Sequence, residues 1–183
     1  SMPAFETQRL RCRPLSLAEY ESFALGVEPE WLDLTNPHRH LVDGPSPLRF
    51  RIPKVKLDES FAEIGLILAI DKISNILLGS AGFHDFPNDD GMIEIGFGIV
   101  PAKQRQGFGQ ELLLGMWKMI TKNLHVKVLR YTVSPDNEPS LHIINKLEFH
   151  HLGEQFDEED GVELIYELDS KTFQNKFGGD ERI

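Results

Sequence analysis

"IEIGFGIVPAKQRQGFGQELL", residues 93 to 113, decides how the whole chain is read. Its first half alternates: Ile93, Ile95, Phe97 and Ile99 fall on one side of an extended chain, Glu94, Gly96 and Gly98 on the other. The first set is a core face. The second is one carboxylate followed by two positions without side chains, which add nothing to sheet packing and mark close approach of another backbone or a ligand. Pro101 cannot donate to a ladder and ends the strand. The second half places Gly107 and Gly109 where a helix begins, although glycine costs about 1 kcal/mol relative to alanine inside a helix.

Two readings of those glycines fit the residues. One is a glycine-eased tight turn. The other is an anion seat: a helix N-terminus carries unpaired N–H groups and a partial positive charge, and glycine lets an anion come right up to them. Gln104, Arg105 and Gln106 then add donors and charge. Other phosphate motifs fit badly. A P-loop needs Lys-Ser/Thr where Gln110 and Glu111 stand, and the dinucleotide fingerprint needs a third glycine where Leu112 stands.

Working outward, alternation and short turns predict strands over 7–15, 63–71, 75–84, 92–100, 126–134, 149–156 and 162–169. Helical spacing predicts helices over 16–24, 108–124 and 138–147, the first opened by a capping box of Ser16 and Glu19. The stretch from 26 to 58 is rich in proline and glycine and reads as loops, with a short helix around Trp31. The polar tail 170–183 is expected to fray. This order gives a mixed α/β domain over residues 6–169, built around one sheet.

The bulk composition narrows the function. The chain has 183 residues, 40% hydrophobic and 26% charged, which suits one globular domain with a core. A net charge of -10 argues against nucleic acid and accords with an amine-bearing partner. With Cys12 alone, no disulfide forms within the chain, and a reducing, cytoplasmic setting is expected. The longest apolar run, "IGLILAI" (64–70), is far too short to span a bilayer, so no membrane association is expected. The histidines at 38, 40, 150 and 151 have no partners at metal spacing, and no metal is expected. His84 reads either as a surface histidine or as a group facing a pocket.

Gln104, Gly107 and Gly109 match Gln/Arg-x-x-Gly-x-Gly/Ala, and on them the central stretch resembles the acetyl-coenzyme A signature of the GNAT acyltransferases. "ETQRLRCRPLSLAEYESF" (6–23) and "VSPDNEPSLHIINKLEF" (133–149) resemble the branch typified by ribosomal-protein-alanine acetyltransferases. That branch opens with an Arg-Leu-x-Leu-Arg-type strand and carries Asn-x-x-Ser ahead of a Gly-Phe pair. The likeness runs from about residue 6 to 169. It implies one mixed, mostly antiparallel sheet of six to seven strands, splayed between its fourth and fifth and flanked by helices. It also implies acetyl-CoA as cosubstrate and no metal. Backbone groups of Gly98, Ile99 and Val100 are then expected to pair with the pantetheine arm. Gln104, Arg105, Gln106, Gly107, Phe108 and Gly109 are expected to hold the pyrophosphate, and Asn137 and Ser140 to reach the cofactor across the cleft.

An amine acceptor is protonated at neutral pH, with a reference pKa of about 8 for an α-amino group and about 10.4 for lysine, so a base is useful. Glu94 is the candidate, sharing a face with the two glycines; the other reading is an exposed or ion-paired strand glutamate. A backbone N–H at Ile99 or Val100 is the candidate donor to the thioester carbonyl. Many of these enzymes protonate the leaving thiolate with a tyrosine seven residues after the asparagine, which here is Ile144. Ser140 is the remaining nearby hydroxyl, although Asn137 and Ser140 also suit helix capping, and both roles can coexist. Acceptor choice is expected from residues 26–58, especially Trp31, Arg49 and Arg51, and from the 85–91 turn. The acidic run "EQFDEED" (154–160) reads as a solvated hairpin end or as a lure for a basic peptide. The expected acceptor is a peptide N-terminus or a small amine, for a monomer or homodimer. A catalytically weak acyl-CoA-binding sensor is the rival function.

Overall fold

The Ser16 hydroxyl accepts from the Glu19 amide at 3.1 Å, and the Glu19 carboxylate accepts from the Ser16 amide at 2.8 Å. The predicted capping box therefore closes, and helix α1 (Leu17–Ala24) starts from it. The computed structural model describes residues 4–44 and 46–178.

Eight strands form one sheet: β1 (Phe5–Glu6), β2 (Leu10–Pro14), β3 (Ile67–Asp71), β4 (Leu77–Phe83), β5 (Met92–Ile99), β6 (Val128–Val133), β7 (His150–Asp157) and β8 (Gly161–Asp169). Their order is β1-β2-β3-β4-β5-β6-β8-β7. These are the seven expected strands plus the two-residue β1 at one edge. Every pairing is antiparallel except β5 with β6. That parallel pairing runs from Met92↔Val128 to Ile95↔Tyr131 and stops there. Since β5 continues to Ile99 and β6 to Val133, the two strands part, and the expected splay lies at this point.

One face of the sheet carries helix α4 (Phe108–Ile120), α5 (Glu138–Lys146) and α6 (Ser170–Phe177). Leu112, Leu113, Met116 and Trp117 of α4 are fully buried, with the Trp117 ring 4.8 Å from Phe149 and 6.0 Å from Phe173. The other face carries α1, α2 (Leu48–Leu57) and α3 (Ala62–Gly65). Among the described residues no helix is long and apolar enough to cross a membrane.

Three local expectations change. Residues 62–65 are the short helix α3, not the start of β3, because this backbone passes over β4: a Cβ on Gly82 would overlap the Gly65 carbonyl. Helix α2 lies in the stretch expected to be loop, while Trp31 sits exposed among turns. Pro53 inside α2 removes one helical N–H, and burial of Leu48, Arg51 and Val55, spaced three and four apart, offsets that loss. The tail is helical over α6: Asp169 accepts from the amides of Lys171 and Thr172, and Phe173 is buried against Trp117. Residues 179–183 of that tail lie outside the described residues.

The irregular segment before α2 folds onto β4, placing His40 Nε2 2.8 Å from Ser80 Oγ. Burial pushes the His40 imidazole down from 6.5 to about 4. Below about pH 6.5 the unfolded chain takes up a proton that the folded chain refuses, so stability falls toward pH 4 by up to about 3 kcal/mol. Urea unfolding at pH 7 and pH 4.5 should show a smaller acid loss for His40→Gln than for the parent chain.

Candidate active site

Gly107 caps α4 with φ +83 and no side chain to accept from the first turn. The first helical bond runs from the Glu111 amide to the Gly107 carbonyl at 3.1 Å. The N–H groups of Phe108, Gly109 and Gln110 precede it and point out of the helix end. Glu111 is the one acid of this turn and would otherwise repel an anion. It is drawn away by the Thr7 hydroxyl, by the Arg9 guanidinium at 2.7 Å and by the Arg9 amide at 2.8 Å. Burial alone would raise its pKa, but these bonds hold the carboxyl below its ordinary range. Arg9 also donates to the Gln106 carbonyl at 2.9 Å and lies 4.0 Å over the Phe108 ring. The start of β2 thus clasps the glycine loop from outside.

A cleft of about 490 Å³ opens where β5 and β6 part. Phe97, Gly98 and Ile99 form its floor. Lys103, Gln104, Arg105, Gly107, Phe108, Gly109 and Gln110 form one wall, and Asn137, Pro139, Ser140, His142 and Ile143 the other. A Cβ on Gly109 would stand 2.8 Å from the Phe97 ring, so this glycine permits the helix to approach β5. Gly98 meets nothing within 4 Å and leaves the floor open. An uncapped helix end, two cations (Lys103 and Arg105) and apolar sides make a donor set that fits the diphosphate and pantetheine of coenzyme A.

Three expected contacts fall elsewhere. Val100 is buried and donates to the Leu78 carbonyl at 2.8 Å, so its N–H belongs to the β4 ladder. Gly98, two residues before it and opposite Ser80, turns the same way. The main-chain groups that face the gap are therefore those of Phe97 and Ile99, and the Ile99 carbonyl accepts from the Gln104 carboxamide at 2.9 Å. Gln106 does not line the cleft.

Asn137 caps α5, accepting from the Ser140 amide at 3.2 Å, and both residues also line the cleft. Ser140 accepts at 3.1 Å from the Tyr131 phenol, which burial pushes up to about 12. Since Ser140 accepts from Tyr131, its own hydroxyl hydrogen is not used in that bond. Ile144 is fully buried in the core.

Glu94 is a paired strand glutamate, with its side chain 18% exposed. It faces His84 directly across the β4–β5 ladder, where the His84 amide donates to the Glu94 carbonyl at 2.9 Å. Its carboxylate stands 3.2 Å from His84 Nδ1 and accepts from the Thr132 hydroxyl at 2.8 Å. Burial raises its pKa, but the His84 and Thr132 bonds and the nearby Arg130 charge outweigh that and hold it below the usual carboxylate range. Gly96 explains the spacing. A Cβ there would stand 2.9 Å from His84 Nε2 and 3.9 Å from Arg51 Nη2, so the absent side chain lets the imidazole lie close over the strand with the guanidinium beside it.

Sequence reasoning missed the His84–Glu94 pair, although the two residues end the strands of one hairpin and its register sets them opposite. It missed Tyr131 behind Ser140, for which no local signal exists. Arg49 pairs with Glu159 in the β7–β8 turn, tying α2 to the acidic hairpin end. Among the described residues no group of three or more His, Cys, Asp or Glu is placed to hold a metal ion.

The sequence model of the acetyltransferase (GNAT) domain matches residues 9–150. A curated relative, an N-acetyltransferase 9-like protein of Nematostella vectensis, is 35% identical over 94 residues, which are 51% of this chain and 46% of the relative. The match thus spans less than half of that relative's length. The ribosomal-protein-S5-alanine acetyltransferase of Vibrio fischeri superposes with a TM-score of 0.66 at 13% identity, over 93% of this chain and 98% of that one. A GNAT-family acetyltransferase of Bacillus anthracis gives 0.63 at 17% identity, over 92% and 99%. The spermidine/spermine N-acetyltransferase of Vibrio cholerae gives 0.64 at 13% identity, over 92% and 96%. At such identities these three share the fold.

Proposed function

Because the chain belongs to the GNAT acetyltransferase family, we propose that it is an N-acetyltransferase that moves the acetyl group of acetyl-CoA directly onto a primary amine. One observation carries this reading: an uncapped helix end stands where β5 and β6 part, and a carboxylate-backed imidazole lies on the Gly96 face of the same strand β5. Acetyl-CoA supplies the activated thioester. The N–H groups of Phe108, Gly109 and Gln110 receive its diphosphate, with Lys103 and Arg105 beside them. The Ile99 N–H faces the gap and polarises the thioester carbonyl.

On the Gly96 face of β5, His84 Nε2 takes the proton that the amine must lose, and Glu94 holds the ring through Nδ1 and stabilises the cation that forms. Glu94 alone, with its lowered pKa, is a poor proton acceptor; backing an imidazole suits it better. Ser140 offers its hydroxyl proton to the leaving sulfur. Cys12 is fully buried and burial pushes its thiol up to about 12, so it is no rival nucleophile and transfer is direct. A reducing, cytoplasmic setting goes with this reading.

The rival, an acyl-CoA-binding sensor, draws on Ile144 at the place of the expected tyrosine. Calorimetry with coenzyme A, followed by thiol release over a panel of primary amines, separates the two. The enzyme reading expects saturable binding and equal amounts of free thiol and acetylated amine with at least one amine. Binding without turnover across the panel favours the sensor, and no binding removes both.

A further inference from the structure

Arg51 is 6% exposed on α2, yet its guanidinium has no carboxylate partner among the described residues. Its Nε donates to the Gly65 carbonyl at 2.8 Å and Nη1 to the Pro47 carbonyl at 3.4 Å, and Tyr20 is the one ionisable group that bears on it. All three neighbours are neutral at pH 7. A cation taken this far out of water is costly unless an opposite charge meets it, and the other arginines packed on the sheet have theirs: Arg9 with Glu111, Arg13 with Glu19, Arg130 with Glu167. The remaining nitrogen, Nη2, lies 3.9 Å from the point a Gly96 side chain would occupy, and His84 Nε2 lies 2.9 Å from that same point. Two groups of complementary use therefore flank Gly96: an imidazole to take a proton and a cation without its anion.

We propose that the acceptor is a primary amine carrying a carboxylate within a few bonds, the amine lodging at His84 and the carboxylate on Arg51 over the Gly96 floor. This rests on the acetyltransferase reading and names the substrate class of its acceptor side. Both nitrogens lie within 4 Å of one point over the Gly96 backbone, so an amine at His84 and a carboxylate on Arg51 must be close together in the same small molecule or terminal residue. The charge-assisted bond to the carboxylate supplies the missing counter-charge. A polyamine brings a second cation to the same place and is repelled. Two sources carry the required chemistry, a free amino acid and a peptide whose first residue is acidic.

The test compares matched acids and amides on the whole protein: alanine against alaninamide, and an aspartyl-leading against an asparaginyl-leading peptide amide, with spermidine as the cationic arm. In at least one pair the acid should exceed its amide at least tenfold in kcat/KM, and spermidine should be poorer than that acid; the responding pair identifies the source. Arg51→Gln should bring the ratio close to one with coenzyme A affinity unchanged, and Arg51→Lys should restore part of it. Equal use of acid and amide, or a preference that survives Arg51→Gln, overturns the proposal while leaving acetyl transfer in place. If Arg51→Gln does not fold, the acid-to-amide ratio of the parent chain decides alone. If no amine is turned over, the acetyl-transfer reading fails, and ligand-observed NMR with coenzyme A present takes over. Binding of an acid but not its amide then upholds the Arg51 site, and binding of neither overturns it.

Discussion

Replacing Glu94 by glutamine should lower turnover by about 10²- to 10³-fold, the range expected when a positioned base system is disabled, while coenzyme A binds within about twofold of the parent. The substitution keeps the shape and the Thr132 contact at 2.8 Å but removes the negative charge 3.2 Å from His84 Nδ1. Without it the imidazole has lost the group that fixes its orientation and stabilises it once protonated. The carboxyl lies on the Gly96 face of β5, whereas the coenzyme A cleft is lined by other residues, so affinity for the cofactor is spared.

The pH dependence separates a base from a structural support. Below the amine's own pKa, about 8 for an α-amino group, the enzyme must remove a proton before attack; above it the amine already arrives neutral. The Glu94→Gln deficit should therefore shrink between pH 7 and pH 9.5. A deficit that stays flat over this interval, or a loss of coenzyme A affinity as large as the loss of turnover, removes Glu94 from proton transfer.

Much of this was legible because it is local. Ser16 and Glu19 stand three apart, and the cap they predict is the cap that forms. Alternation along 92–100 separates Ile93 and Ile95, both buried, from Glu94 and the two glycines. The glycine loop was legible as a turn, since Gly107 at φ +83 is where glycine is favoured, and the anion reading of the same residues stands beside it. What stayed hidden depends on contacts distant in sequence. Polar residues surround Phe173, so the tail reads as frayed, and only the Trp117 ring shows why it is helical. Pro53 disguises α2, whose helical spacing serves Arg51. Alternation in 63–71 points to a longer strand because burial of Ile64 looks the same whether a strand or a helical turn provides it. At the site, the sequence leaves His84 open between a surface group and a pocket group, and its pairing with Glu94 stays hidden because the partner lies ten residues on, across the 85–91 turn. Ladder direction was the other loss: side-chain alternation says nothing of which neighbour a main-chain N–H addresses, and so Val100 was expected on the cleft side.

Gly107→Val should weaken coenzyme A binding about 10- to 100-fold, equivalent to about 1.4 to 2.8 kcal/mol, and this loss should exceed the accompanying loss of folding stability. At φ +83 a β-branched residue is strongly disfavoured, since left-handed backbone costs about 1–2 kcal/mol for an ordinary L residue. The new Cβ would also stand 3.3 Å from Arg9 Nη2, the arginine that holds the Gln106 carbonyl. Arg105 already sits at φ +63, so the turn contains a second left-handed residue and has little room to absorb the change elsewhere. Relaxation must rotate the peptides leading into Phe108 and Gly109, and those are the N–H groups proposed to meet the diphosphate. Gly107→Asn, which tolerates the left-handed region, should cost much less. Gly98→Ala checks the floor: its Cβ meets no protein atom within 4 Å, so melting should be unchanged, and any loss of affinity reports on space the ligand itself needs. Calorimetry and thermal melts on the three variants decide the matter. If Gly107→Val binds coenzyme A like the parent, the diphosphate does not dock at this helix end, and the residues of the opposite wall, Asn137 to Ile143, become the place to look for it.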